Sequence, residues 1–216
     1  MKQVRDVGEF SNLFKVNIPY SPEFNYYIDT LSQSKEYKDI RKLVNDFCDF
    51  EDWVSSQGYS SVFKYKMKCL DLIKDYVSGT LAYQEFTNFD YSFHKFRKQD
   101  DLKSWIKKQS ESDSPDYLMS YDLSLANFNT IKSFGNDIES TWEIVCKKLH
   151  VHHMLISSKS FRQVVFGNLN PKRNGKIQLM RMNGLADHLE RGGHKDKVVS
   201  ITNDEICLSL PSDMCD

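Results

Sequence analysis

Residues 146–200 read CKKLHVHHMLISSKSFRQVVFGNLNPKRNGKIQLMRMNGLADHLERGGHKDKVVS. Earlier segments carry plain helical periodicity, so this stretch decides between an all-helical chain and a mixed one. Residues 151–156, 161–166 and 176–182 are apolar or β-branched runs separated by turn formers, the sequence mark of short strands. Residues 168–175 read as a hairpin loop ending in Asn174-Gly175. Residues 186–191 read as a short helix stopped by Gly192 and Gly193. Residues 198–202 and 206–210 flank Asn203-Asp204-Glu205 as a closing hairpin. Five of the nine glycines fall between Gly167 and Gly193, a density suited to tight turns. The expected fold is α+β: a mostly helical N-terminal two-thirds followed by a small antiparallel β-sheet in the C-terminal third.

Upstream, the pattern has the period of helices. Pro19 and Pro22 bracket a turn, and a short helix follows through Phe24 and Tyr27. From Ser34, a candidate N-cap, the apolar positions Tyr37, Ile40, Val44, Phe47, Phe50 and Val54 step by three or four up to Gly58. Phe63, Met67, Leu70, Ile73 and Val77 make a second stripe, closed by Gly79. Phe86, Phe89, Phe93 and Phe96 make a third, continuing towards Trp105 and Ile106, and at that spacing they are expected in a core. Residues 123–134 fit helix and strand equally. Asn136 and Glu139 have capping-box spacing ahead of a stripe of Ile138, Trp142, Val145 and Leu149.

The polar segment 110–116, ending in Ser-Pro-Asp, reads as a linker. It separates a helical region, 1–110, from an α+β region, 117–216, that holds the basic sheet; one continuous domain fits as well. No apolar run approaches the roughly 20 residues of a bilayer crossing, and residues 1–14 lack the apolar centre of a signal peptide. Five widely spaced cysteines include no CxxC pair, so they are expected reduced and mostly buried, with Cys215 exposed. A soluble cytoplasmic protein without cofactor or bound metal is the expectation.

Charge is the strongest functional signal. The whole chain is near −1, yet residues 146–200 hold eleven Lys or Arg against three acids, and five of the six histidines. Such a segment points to phosphates, hence to a nucleic acid, RNA or DNA, held by its backbone. The residues expected to bind it are Lys159, Arg162, Lys172, Arg173, Lys176, Arg191, Lys195 and Lys197. Only Phe161 and Phe166 lie after Trp142, so base stacking has little support. On a strand His150 and His152 would share a face, and His188 and His194 flank the turn near 186–191. Two histidines plus Lys or Arg suffice for metal-independent RNA cleavage, and His152, His188, Lys159 and Arg181 are the expected catalytic set.

Two other functions fit the same residues. One is a non-enzymatic protein-interaction or regulatory protein, with Tyr26, Tyr27 and Tyr83 as anchors for a protein partner. The other is a metal-dependent phosphohydrolase, with His150 and His152 joined by Asp187, His188 or His194. No phosphate-loop, dinucleotide, nucleophile-elbow or zinc-protease motif occurs. The nucleic-acid reading expects binding that weakens steeply with salt and is lost when Lys172, Arg173 and Lys176 are neutralised; salt-independent binding in a filter assay would refute it.

Overall fold

The computed structural model describes residues 3–18, 23–112, 116–194 and 197–211, leaving aside the side chain of His194. The Pro19–Pro22 turn, most of the Ser-Pro-Asp segment, Lys195 and Cys215 lie outside the described residues. The chain forms two compact units from interleaved segments. One joins Met1–Gly79 to Glu139–Leu169; the other joins Thr80–Ile138 to Asn170–Asp216.

Among its described residues the first unit has helices and no strand. Its helices are α1 (Val7–Phe14), α2 (Phe24–Leu31), α3 (Ile40–Ser56) and α4 (Val62–Ser78). The second unit interrupts the chain with α5 (Leu81–Asn88), β1 (Gln99–Asp100), α6 (Leu102–Ser110), β2 (Tyr117–Asp122) and α7 (Ala126–Lys132). The first unit is then completed by α8 (Trp142–Lys148), α9 (His153–Ser157) and α10 (Lys159–Gly167). The second ends with α11 (Pro171–Leu189), β3 (Val198–Ile201) and β4 (Glu205–Leu210).

Residues 151–182 therefore form α9, α10 and the start of α11, and the expected strands at 151–156, 161–166 and 176–182 are absent. In α10 the buried residues Phe161, Val165 and Phe166, with Leu169 beyond it, recur at helical spacing. Trp142 has no exposed surface, and its ring lies 5.7 Å from Phe166 and 6.4 Å from Phe161. Its indole N–H donates to the Ile156 carbonyl at 2.9 Å, so its one polar atom is satisfied inside the core. Ser158 accepts from the Phe161 N–H and donates to the Leu13 carbonyl, capping α10 and tying it to the end of α1.

Asn168 to Gly175 is not a hairpin loop. Asn170 takes a left-handed conformation, Pro171 opens α11, and Gly175 lies inside that helix. The early part of α11 buries polar side chains: Asn174 donates to the Asn127 carbonyl, and Gln178 donates to Asn127 Oδ1 at 3.0 Å. Apolar periodicity was therefore weak where the helix is most enclosed. The same helix continues through 186–189 and ends in one wider turn, Glu190–His194, with Gly193 at φ +86°.

The stripes upstream are correct in type and partly shifted in phase. In α3 Ile40, Val44, Phe47, Phe50 and Val54 are buried, although the helix begins after the short 3₁₀ turn that Ser34 caps. In α4 the buried face is Val62, Tyr65, Cys69, Leu70, Ile73 and Val77, while Phe63 and Met67 are exposed. The phenylalanine stripe breaks at Phe89, where α5 ends; Phe86 is buried and Phe93 is 70% exposed. Thr141, not Asn136, caps α8, and Asp137 instead accepts from the Leu81 and Ala82 N–H groups at the start of α5.

The sheet is antiparallel, in the order β1-β3-β4-β2. The expected 198–202 and 206–210 hairpin is β3–β4. Leu179, Met182 and Ala186 of α11 pack on Val198, Ile201, Ile206 and Leu208. The opposite face carries Cys207 and Ser209, and Ser209 Oγ accepts from the Trp105 N–H of α6 at 2.9 Å.

Two glycines test the helical assignment of α11. A Cβ at Gly184 would meet no other group within 4 Å, whereas one at Gly175 would lie 3.2 Å from Asn203 Nδ2. Gly184→Ala is expected to raise stability by about 0.5–1 kcal/mol, and Gly175→Ala by less. Urea denaturation of both variants checks this; Gly184→Ala failing to stabilise would contradict the helix.

Candidate functional site

Folding divides the basic stretch of the sequence between the two units. Residues 146–169 join the first unit and 170–200 the second. The first unit then holds 15 Lys and Arg against 14 acids, and the second 14 against 16. Neither has a strong net sign.

The four residues of the expected catalytic set are divided in the same way. His152 and Lys159 belong to the first unit, and His188 and Arg181 to the second. Lys159 is exposed on the first turn of α10, and Arg162 is half-buried on the same helix. Lys172 is exposed near the start of α11. Arg173 donates to the carbonyls of Phe86 and Phe89, so it holds the C-terminal end of α5, and its guanidinium lies 5.0 Å over the Tyr91 ring. Lys176 shares that ring at 5.6 Å. Arg181 donates to Ser133 Oγ, His188 is exposed in the last turn of α11, and Arg191 donates to the Asp187 carbonyl. Lys197 is half-buried, and Lys195 lies outside the described residues.

His152 is built into a core. It is the N-cap of α9, its Nδ1 accepting from the Met154 N–H at 3.2 Å. Its ring stacks on Phe50 at 4.6 Å and lies 4.5 Å from Trp53. Its backbone N–H donates to the Tyr65 hydroxyl at 2.9 Å. Burial, and then the neighbouring His153, lower its pKa from the usual 6.5 to about 4. The imidazole is thus neutral at neutral pH, as an acceptor cap requires. His150 takes φ +55°, and no strand places the two rings on one face. Among the described residues no three His, Cys, Asp or Glu side chains are gathered as a metal site needs. Cys48, Cys69, Cys146 and Cys207 are buried and, among the described residues, form no disulfide; burial pushes the Cys146 thiol up to about 12, far from a reactive thiolate.

Concavity offers little more. A cleft of about 480 Å³ in the second unit is lined by Arg97, Asp101, Trp105, Lys108 and Glu190 among others. Its charges are of both signs, and Arg97 already pairs with Glu190 at 2.8 Å.

The open side of the sheet is different. β2 is an edge strand, and all six of its residues are exposed. Four of them are large and apolar: Tyr117 at 55%, Leu118 at 39%, Met119 at 38% and Tyr121 at 49%. The register sets their faces. Met119 opposes Leu208 and Tyr121 opposes Ile206, so Tyr117, Met119 and Tyr121 lie on the face that α11 packs against. Leu118 and Ser120 oppose Ser209 and Cys207 on the face that α6 meets.

The Leu123 N–H donates to the Asp204 carbonyl, continuing that ladder. By alternation, the N–H and C=O groups of Tyr117, Met119 and Tyr121 point to β4, and those of Leu118, Ser120 and Asp122 point outward. Among the described residues no strand pairs with this outer side. Natural edges are usually blunted by Lys, Pro, a bulge or a covering segment. β2 contains no Lys or Pro, and its pairing with β4 runs without a bulge. The strand followed the Ser-Pro-Asp segment in the sequence and was not expected there; its Tyr-Leu-Met-Ser-Tyr run, bounded by Asp on both sides, was the available signal.

Comparisons with protein-family models, with curated proteins and with solved structures find no match.

The neutral state of His152 predicts an acid sensitivity. The unfolded chain protonates this imidazole near 6.5 and the native one only near 4. Between those values the unfolded state binds more protons, so stability present above about 6.5 is lost as pH falls towards 4. His152→Asn keeps a cap acceptor without titrating. Between pH of about 7.5 and about 5 the urea midpoint of the native protein should fall further than that of the variant. An identical pH dependence would contradict the half-buried, neutral ring.

Proposed function

We propose that this chain is a non-enzymatic interaction protein that docks an extended segment of a protein partner along the outer edge of β2. The observation that carries this reading is the edge itself: six exposed residues, four of them large and apolar, with no Lys, Pro or bulge in the strand and, among the described residues, no strand paired on its outer side. Strand addition would supply main-chain hydrogen bonds to Leu118, Ser120 and Asp122. Side chains at alternate positions would cover Tyr117, Met119 and Tyr121.

Two further points support an interaction role over a nuclease. The basic segment that suggested phosphate binding is divided between two nearly neutral units. Several of its cations also have structural tasks: Arg173 caps α5, Arg181 bonds Ser133 and Arg191 bonds the Asp187 carbonyl. The interaction surface differs from the one the sequence suggested. Tyr26 is 68% exposed, while Tyr27 and Tyr83 are only half-buried and not grouped on an open strand.

Ser120→Pro tests the reading. The Ser120 N–H points away from β4, so proline removes an outward donor and spares the β2–β4 ladder. Selection of a displayed random heptapeptide library on the native chain is expected to enrich extended β-branched sequences. The Ser120→Pro chain, with an unchanged circular dichroism spectrum, is expected to enrich none of them. Enrichment of the same sequences on both chains would overturn strand addition.

A further inference from the structure

Acidic side chains stand at both ends of the open edge. Asp122 directly opposes Glu205 in the β2–β4 ladder, and Asp116 precedes the strand at its other end. Two carboxylates directly opposite each other on one face repel. Nothing on the paired strands relieves them, since neither β2 nor β4 contains Lys or Arg. Among the described residues, Asp116, Asp122 and Glu205 form no ion pair. Glu205 instead accepts from Ser120 Oγ, and Asp116 from Ser209 Oγ at 2.7 Å. Both bonds hold the carboxylates in place without neutralising them.

We infer that the partner segment is a basic-flanked β-strand: apolar at the alternate positions that meet Tyr117, Met119 and Tyr121, with Lys or Arg where it meets Asp122 and Asp116. The inference rests on the strand-addition reading and adds the chemistry of the occupant. A residue docked opposite Asp122 shares a face with the Asp122–Glu205 pair, so one cation there meets two carboxylates. The exposed aromatic and Met side chains occupy the other face, where valines would pack.

Charge also disfavours a second copy of this chain as occupant. Antiparallel self-pairing centred on Ser120 would place Asp122 against Leu118 of the other copy. It would bring a second pair of carboxylates to the edge and no cation, because β2 has none. Like charges brought together in this way weaken association.

The probe is the blocked heptapeptide Lys-Val-Thr-Val-Thr-Val-Lys. It reads the same in both directions and presents valines to the Tyr117, Met119 and Tyr121 face. The comparison peptide has Glu at both ends. Isothermal titration of the full chain at about 50 mM salt is expected to show the Lys-ended peptide bound about tenfold more tightly. At about 0.5 M salt, or with Asp122→Asn, the difference should shrink to about threefold or less. Ser120→Pro should abolish binding of both peptides. Equal affinities, both lost in Ser120→Pro, would overturn the basic preference and leave strand addition standing. Binding of neither peptide, together with a peptide selection that fails on the native chain, would overturn both. A concentration-dependent doubling of the 25.3 kDa mass, lost in Ser120→Pro, would assign the edge to a second copy and overturn the inference.

Discussion

The packing of α11 across β3 and β4 is the contact on which the second unit depends. Leu179, Met182 and Ala186 meet Val198, Ile201, Ile206 and Leu208, and together they cover the middle of the sheet. β4 is then paired on both sides, by β3 and by β2. The helix does not enclose β2: Tyr117, Met119 and Tyr121 share its face of the sheet and stay exposed. One packing arrangement thus makes a stable centre and an open edge. The edge is not a defect of the sheet but the part that the core leaves uncovered, and its exposed side chains are of the kind that interfaces use.

Polar groups hold the rest in place wherever apolar contact alone would leave the chain free to slide. Asn183 accepts from the Arg97 N–H at 2.8 Å and donates to the Arg97 carbonyl at 2.9 Å, fixing α11 against the approach to β1. In the first unit Glu51 is buried and accepts from the N–H groups of Arg5 and Asp6, seating the segment that leads into α1. Glu9 and Lys66 form a second enclosed pair. Each is a hydrogen-bonded charge in a place where an unpaired one would be costly. His152 follows the same logic, kept neutral by burial so that it can accept at a helix start.

The helices α3 and α4 were legible because their cores are apolar at helical spacing, and the β3–β4 hairpin was legible because its turn is short and its strands alternate. The segment 151–182 was misread for three separable reasons. α9 has only five residues, too few to display a period. α10 contains the run Val164, Val165, Phe166, which suits a strand as well as a helix until burial is known. α11 turns Asn174, Gln178 and Asn183 inward, so its hydrophobic stripe is interrupted where its partners are polar. The phenylalanine stripe failed in the opposite sense: Phe93 had the spacing of a core residue and lies in solvent, because the helix had ended at Phe89.

By itself the sequence determined the α+β class, the long helices of the N-terminal part and the closing hairpin, since all of these are set by contacts between near neighbours. It also determined that no helix among the described residues is long and apolar enough to cross a membrane. Tertiary structure decided the rest. Interleaving the segments divided a basic stretch between two nearly neutral units, and partners distant in sequence satisfied the polar side chains that α11 turns inward. Pairing of β2 with β4, far apart along the chain, created an exposed edge with Asp122 set against Glu205. Which groups are satisfied and which are left open depends on segments remote in sequence, and that dependence has no local signature.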